Sequence, residues 1–277
     1  MNKASSDIHF YKNQNGPVIG VAVKPVIERD GLYFRDLTGD GRLTPYKDWR
    51  NTPAERAASL AAELSADEKI GMLFVNSWKM GIYQEDRTKV DESGLLNEEI
   101  VEQDESIFNV EKTYGTTYTI KEMGIRHFIL RQNPKPGELV DWINQLNRVA
   151  EETSHALPVM VLSNSRNEHG EIVFGMNDAA GVFAAWPGTM GIAAAVRGNG
   201  PELIDSFAEC IRKEWDATGM KKGYMYMADV MTDPRWQRSY GTFGEDPELV
   251  CAIMERLIPG IQGSSRGVTR DGVADDW

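Results

Sequence analysis

The stretch Asp233-Pro-Arg-Trp-Gln-Arg-Ser-Tyr-Gly-Thr-Phe-Gly-Glu-Asp-Pro247 lies between an apolar, strand-like run over 223–227 and a helix-like run over 248–261. In α/β folds, the loops that follow the strands carry the ligand sites. Two arginines, three acids and several aromatic rings in one such loop suit a polyhydroxylated ligand, because guanidinium groups bind hydroxyls and flat rings stack on apolar sugar faces. The alternative is a rim loop in which Arg–Asp pairs only brace the turn.

Strand-like and helix-like segments alternate upstream of this loop. Predicted strands cover 125–130, 158–163 and 223–227, and predicted helices cover 138–154, 201–218 and 248–261. This alternation predicts βαβ units around a parallel sheet, hence an α/β fold class. About three βα units are visible, whereas a complete (β/α)8 barrel needs about 250 residues of regular repeat.

The first 120 residues follow a different pattern. Two capping boxes, Thr52–Glu55 and Ser65–Glu68, predict the starts of two helices. The polar, charged segment 76–120 has weak periodicity and is predicted to be a solvated excursion. We therefore predict an N-terminal extension with entry helices over 1–120 and a partial (β/α) barrel over 121–277, in one structural domain.

Composition excludes several classes of partner. The 277 residues carry a net charge of −12, which disfavours nucleic acid and anionic membranes and favours neutral or cationic ligands. The two cysteines lack a C-x-x-C spacing, so neither a disulfide framework nor a zinc site is predicted.

The polar start of the chain shows no signal peptide, which predicts a cytoplasmic location, or a periplasmic or secreted one if a signal was removed.

One loop has part of the spacing of a calcium site. Asp36, Thr38 and Asp40 occupy positions 1, 3 and 5 of a calcium loop, with a glycine at the turn. Position 12, which should be a bidentate acid, is Lys47. We therefore predict no metal and a turn braced by Asp side chains, with calcium binding as the weaker alternative.

Four stretches together resemble the N-terminal domain of glycoside hydrolase family 3, whose members include β-glucosidases. The stretches are 36–50 with its Tyr46-Lys47-Asp48-Trp49, 64–72, 158–167 together with Trp186-Pro187-Gly188-Thr189, and the loop 233–247. The resemblance runs from about residue 32 to 263 and implies a (β/α)8 TIM-barrel type of fold, here incomplete. It also implies retaining hydrolysis of terminal β-glycosides by a carboxylate nucleophile and a separate acid/base, without a cofactor or metal.

The resemblance assigns roles to particular residues of the chain. Arg238 and Asn164 are expected to bind the sugar, with Asn164 where many members have an aspartate. Asp233, Arg235 and Trp236 are expected to support the loop. Glu168 and His169 are an acid/base candidate whose alternative is a structural pair.

The catalytic carboxylate is the main departure from the family. Neither the Lys-His-Phe strand nor the Ser-Asp-Trp motif that carries the nucleophile is present as such, although Asp276-Trp277 imitates its dipeptide. Asp276 is therefore only a weak catalytic candidate, and the chain is expected to be truncated before the nucleophile and inactive alone. The alternative to the enzyme is a non-catalytic sugar-binding or degenerate fragment. In either case, the chain is expected to self-associate through an exposed barrel edge.

Overall fold

The computed structural model describes residues 8–102, 112–130, 132, 134–163, 167, 183–224 and 226–263. Within these limits the chain forms two compact units. The first contains 8–128 and 138–160, and the second contains 129–137 and 161–263. The predicted division into an extension over 1–120 and a partial barrel over 121–277 stays a prediction.

The first unit begins with two antiparallel hairpins. Strand β1 (His9–Lys12) pairs with β2 (Val18–Val21), and β3 (Val26–Arg29) pairs with β4 (Leu32–Arg35). Asp30 and Gly31 join β3 to β4 with φ values of 54° and 74°. A two-residue turn with both φ values positive matches the right-handed twist of the strands it joins, and Asp-Gly is a preferred sequence for it.

Both predicted capping boxes are formed. Helix α1 (Pro53–Glu63) begins after Thr52, and α2 (Ala66–Gly71) begins after Ser65. In each case the hydroxyl accepts a backbone N–H three residues later, and the Glu at that position reaches back to the cap. Each box satisfies two backbone N–H groups that have no partner inside the helix.

The segment predicted as a solvated excursion contains regular structure instead. Strand β5 (Val75–Trp78) and helix α3 (Thr116–Lys121) both lie in or at the edge of it. The Trp78 indole N–H donates to the buried Thr116 hydroxyl. Short elements that bury threonines and a single tryptophan do not generate a clear hydrophobic period, so the sequence did not reveal them.

Strand β6 (His127–Leu130), helix α4 (Pro136–Glu151) and strand β7 (Met160–Ser163) confirm the next predicted elements. Helix α4 buries the apolar face that its period predicts: Leu139, Trp142, Ile143, Leu146, Val149 and Ala150. Its last residue, Glu151, accepts the backbone N–H groups of Ala22, Val23 and Lys24 at 2.9, 2.6 and 3.2 Å. This carboxylate therefore ties the end of the helix to the chain beyond β2.

The second unit continues with α5 (Thr189–Asn199), α6 (Leu203–Thr218), β8 (Lys222–Gly223) and α7 (Pro247–Gln262). The glycine-rich sequence around α5 concealed that helix, whereas α6 and α7 are confirmed. Helices α6 and α7 pack closely, since a Cβ added at Gly260 would lie 2.5 Å from the Cβ of Ala208.

The later strands form one four-stranded sheet in the order β5-β6-β7-β8. Strands β7 and β8 run parallel, with Leu162 opposite Lys222 and Ser163 opposite Gly223. The Tyr224 N–H continues this pairing by donating to the Ser163 carbonyl at 3.0 Å. Because spatial order follows chain order and helices intervene, the described residues form an open βα arrangement, consistent with an incomplete barrel.

Three absences hold for the part of the chain that the structure describes. Cys210 and Cys251 are free thiols. No group of three or more His, Cys, Asp or Glu side chains in these ranges could hold a metal ion. None of the helices in these ranges has both the length and the apolar character needed to cross a membrane.

Candidate functional site

The loop that follows β8 starts with a tight turn closed by an Asp–Arg pair. The Asp233 carboxylate accepts the Arg235 backbone N–H at 2.8 Å and its guanidinium Nη2 at 2.6 Å. The hydrogen bond from the Arg235 side chain is the main cause that lowers the pKa of Asp233. The Arg235 side chain is 89% exposed, so this pair lies at the surface and organises the turn locally.

The middle of the loop is a short 3-10 turn, Ser239–Gly241, held by side-chain hydroxyls. Ser239 Oγ donates to the Trp236 carbonyl at 2.6 Å, and Thr189 Oγ1 at the start of α5 donates to the Tyr240 carbonyl at 2.7 Å. Thr242 and Phe243 follow and are both fully buried. The loop is therefore anchored to α5 on one side and to the core of its unit on the other.

The last acid of the loop caps a helix. Asp246 accepts the backbone N–H groups of Glu248 and Leu249 at the start of α7, at 2.9 and 3.4 Å, and forms an ion pair with Arg197. An acidic cap at a helix N-terminus is stabilising because it satisfies orphan N–H groups and opposes the helix dipole. Asp233 and Asp246 are thus both engaged in local structure.

Arg238 has a different environment from Arg235. It is half-buried, and its Nη2 lies 3.4 Å from Met227 Sδ, a weak acceptor. Its Nε is buried and has no hydrogen-bond partner among the residues that the structure describes. A desolvated donor without an acceptor costs about 1–3 kcal/mol, so Arg238, unlike Arg235, is not fully satisfied by the described residues.

Four aromatic rings of the second unit contact one another in a row. Ring centroids are 5.1 Å apart for Trp186 and Phe207, 5.4 Å for Phe207 and Tyr226, and 6.0 Å for Tyr226 and Phe243. These tilted and edge-on contacts are the arrangements that aromatic pairs prefer. Through Tyr226, the residue before Met227, the row joins α6 to the buried Phe243 at the end of the loop.

Asn167 and Glu214 are candidate site residues that the sequence reasoning missed. Asn167 is fully buried, donates through Nδ2 to the Glu214 carboxylate, and accepts the Trp186 N–H on its carbonyl at 2.9 Å. Glu214 also accepts the Ala184 N–H at 2.8 Å. The buried Asn167 Oδ1 has no partner in the described ranges. Two signals were available: Asn167 is the last residue of the stretch 158–167, and Glu214 is an acid beside a buried position on α6.

The remaining predicted residues fall into two groups. Trp236 is 37% exposed, and its supporting role stays a prediction. Asn164, Glu168, His169 and Asp276 lie outside the described residues.

The residues of the first unit that have the spacing of calcium ligands surround the amine of Lys47. Lys47 Nζ lies 2.7 Å from Asp36 Oδ1, 2.5 Å from Thr38 Oγ1 and 2.7 Å from Asp40 Oδ1. The Lys47 and Asp36 side chains are 0% and 3% exposed. The lysine that interrupts the calcium pattern in sequence is therefore the partner of the predicted ligands in space.

Comparisons with known proteins agree on one family. Residues 100–274 match the model of the glycosyl hydrolase family 3 N-terminal domain. A periplasmic β-glucosidase/β-xylosidase of Dickeya chrysanthemi is 32% identical over 250 residues, covering 90% of this chain and 35% of that protein. A probable β-glucosidase C of Aspergillus oryzae is 30% identical over 223 residues, covering 80% of this chain and 31% of that protein. The chain thus spans about a third of the length of these curated relatives.

Solved structures show the same fold. A β-glucosidase from Erythrobacter marinus matches with a TM-score of 0.55 at 21% identity, over 80% of this chain and 25% of that one. A β-N-acetylhexosaminidase from Beutenbergia cavernae matches with a TM-score of 0.51 at 17% identity, over 73% of this chain and 52% of that one. The fold is TIM-barrel-like α/β, and the family match covers more than half of the sequence. By this match the chain belongs to the N-terminal domain family of glycoside hydrolase family 3 and has the ancestry of a glycosidase.

Proposed function

We propose that the chain supplies the sugar-binding part of a family 3 site for terminal β-glycosides, of the β-glucosidase type, with Arg238 and Asn164 binding the innermost sugar. The observation that carries this proposal is the half-buried Arg238 guanidinium, whose Nε is desolvated and without an acceptor in the described ranges. A guanidinium can donate to two neighbouring hydroxyls at once. The relatives named as β-glucosidases support a β-glucoside as the ligand.

Retaining hydrolysis needs two carboxyl groups about 5–5.5 Å apart on either side of the glycosidic bond. The two acids whose contacts are described in this loop have other partners: Asp233 is held by Arg235, and Asp246 caps α7. The loop therefore contributes binding and positioning, and neither of these acids is placed in the nucleophile's role. We accordingly propose that this polypeptide is inactive on its own and contributes one part of an enzyme's site. The alternative is that it is a non-catalytic sugar-binding module.

The first test is an activity assay of the purified chain. With an aryl β-glucoside and an aryl β-xyloside, we expect release of the aryl alcohol at the rate of a buffer blank. A full-length family 3 β-glucosidase assayed in parallel shows that the conditions support turnover. Saturable hydrolysis by the chain would contradict the proposal, and its loss in Asp276→Asn would assign the nucleophile to Asp276.

The second test concerns the sugar contact itself. Arg238→Ala is expected to weaken binding of methyl β-glucoside at least about tenfold, because a hydrogen bond from a charged donor contributes about 1.5–3 kcal/mol. Titration followed by ligand-observed NMR measures the dissociation constant. Arg235→Ala is the matched control, since that side chain is 89% exposed and paired with Asp233. Equal affinities of wild type and Arg238→Ala would remove Arg238 from the site.

Location and self-association stay predictions. One curated relative is described as periplasmic, and the location of this chain is left to experiment. A small neutral carbohydrate is the proposed ligand, and self-association through the open sheet edge is the proposed contact between copies.

A further inference from the structure

The loop Asp36–Lys47 matches the twelve-residue pattern of a calcium loop at its acids and also at positions that are not acidic. Such loops bind the ion through side chains at positions 1, 3 and 5, a backbone carbonyl at 7, position 9 often through water, and an acid at 12, with glycine at 6. Counting from Asp36, these positions are Asp36, Thr38, Asp40, Arg42, Thr44 and Lys47, with Gly41 at position 6.

The structure places the oxygens of positions 1, 3, 5 and 7 around one point, which is occupied by Lys47 Nζ. Beside the three side-chain oxygens at 2.5–2.7 Å, the Arg42 carbonyl oxygen lies 2.9 Å from the amine. The backbone supports this geometry, because the Asp36 carboxylate accepts the Gly39 and Gly41 N–H groups at 3.1 and 2.7 Å. Both glycines have positive φ values, 74° and 71°, which residues with a side chain adopt rarely.

Two features indicate a shell built for a metal ion. An ammonium has three N–H donors, yet four oxygens lie within 2.9 Å of it. Independently, Thr44 Oγ1 at position 9 is buried and has no hydrogen-bond partner in the described part of the chain. An excess of oxygens over protons, and an unpaired oxygen at position 9 of the sequence pattern, are what a loop that supplies six or more oxygen ligands to Ca²⁺ would offer.

We propose that the Lys47 ammonium takes the place of the metal ion in a calcium-type loop. The ammonium is attached to the chain at the position of the missing acid ligand and neutralises one of the two carboxylates that face it. The wild-type loop therefore folds without metal, and Ca²⁺ is excluded because the amine fills the point where the oxygens converge. Replacing Lys47 by glutamate restores the acid at position 12 and opens a calcium site.

The test uses Lys47→Glu, purified in EDTA and titrated with CaCl₂ by calorimetry and thermal melting. We expect one Ca²⁺ per chain with a dissociation constant of about 1–100 μM, within the range of natural calcium loops. At a calcium concentration about 100 times the dissociation constant, the Tm should rise by about 5–10 °C. Wild type and Lys69→Glu, which makes the same charge change at an exposed lysine, should show no shift.

A second variant keeps the result decisive. Adding Asp40→Asn to Lys47→Glu should weaken calcium binding at least tenfold, because it removes the charge of a ligand. If Lys47→Glu does not fold in EDTA, refolding from urea should succeed with Ca²⁺ and fail with equal Mg²⁺. A calcium-stabilised wild type, or Lys47→Glu that neither binds Ca²⁺ nor refolds in it, would overturn the proposal.

Discussion

Lys47→Met is expected to lower the free energy of unfolding by about 3–5 kcal/mol in the presence of EDTA, because removing one partner of a buried ion pair leaves the other charge uncompensated. The Lys47 and Asp36 side chains are 0% and 3% exposed and their charged atoms are 2.7 Å apart. Methionine has a volume close to that of lysine, so the loss of stability reports the removal of the positive charge. Urea unfolding followed by tryptophan fluorescence measures it.

The control for this variant is Lys69→Met on α2, where the lysine is exposed. Its effect should stay within about 0.5 kcal/mol, as is usual for surface substitutions. A loss below about 1 kcal/mol for Lys47→Met would show that the amine is not needed to compensate the two carboxylates.

The ion pair of Lys47 with Asp36 also makes the free energy of unfolding depend on pH, in a direction that can be predicted. Burial alone would raise the pKa of Asp36, but hydrogen bonds from Lys47 and from Gly41 N–H outweigh burial and lower it. The hydrogen bond from Lys47 is also the main cause that lowers the pKa of Asp40. A carboxyl whose pKa is lowered by folding stabilises the protein above its unfolded pKa of about 4, and this contribution is lost as the pH falls further.

Lys47→Met should invert that dependence. Without the amine, only the Gly39 and Gly41 N–H groups oppose the effect of burial on Asp36. We therefore expect its pKa to rise above the unfolded value, so that the native state binds more protons than the unfolded state. The variant should therefore become more stable between pH 7 and pH 5, whereas wild type should lose stability only below about pH 4. Urea midpoints at three pH values separate the two outcomes.

Phe207→Ala is expected to lower the free energy of unfolding by about 3–5 kcal/mol, the usual cost of removing a buried phenyl ring. Phe207 is fully buried on α6 and its ring lies between those of Trp186 and Tyr226, at 5.1 and 5.4 Å. The cavity would form between the rings of Trp186 and Tyr226. Chemical denaturation again measures the effect.

Two variants calibrate this result. Phe207→Leu keeps most of the volume and should cost about 1–2 kcal/mol. Phe10→Ala removes a ring that is 68% exposed and should cost less than about 1 kcal/mol. Equal losses for Phe207→Ala and Phe207→Leu would show that the site collapses around the missing ring.

Elements with local signals could be predicted from the sequence. The capping boxes at Thr52 and Ser65 predicted the starts of α1 and α2, because all the groups of a box lie within four residues. The hydrophobic period of α4 predicted which of its faces is buried, and the amphipathic pattern of 201–218 predicted α6 as a helix. By contrast, β5 and α3 depend on contacts such as that of Trp78 with Thr116, which join positions 38 residues apart.

By itself, the sequence determined the family, the α/β alternation and the set of polar groups available to the site, because motifs and hydrophobic periods are properties of neighbouring residues. Only the tertiary structure decided which of two arginines in one loop is exposed and which is desolvated. That difference follows from the anchoring of Thr242 and Phe243 in the core, and of Tyr240 on α5. The tertiary structure also decided that Lys47 lies among the calcium-spaced oxygens of Asp36, Thr38 and Asp40, since spacing gives the positions of ligands but not the point at which a long side chain ends.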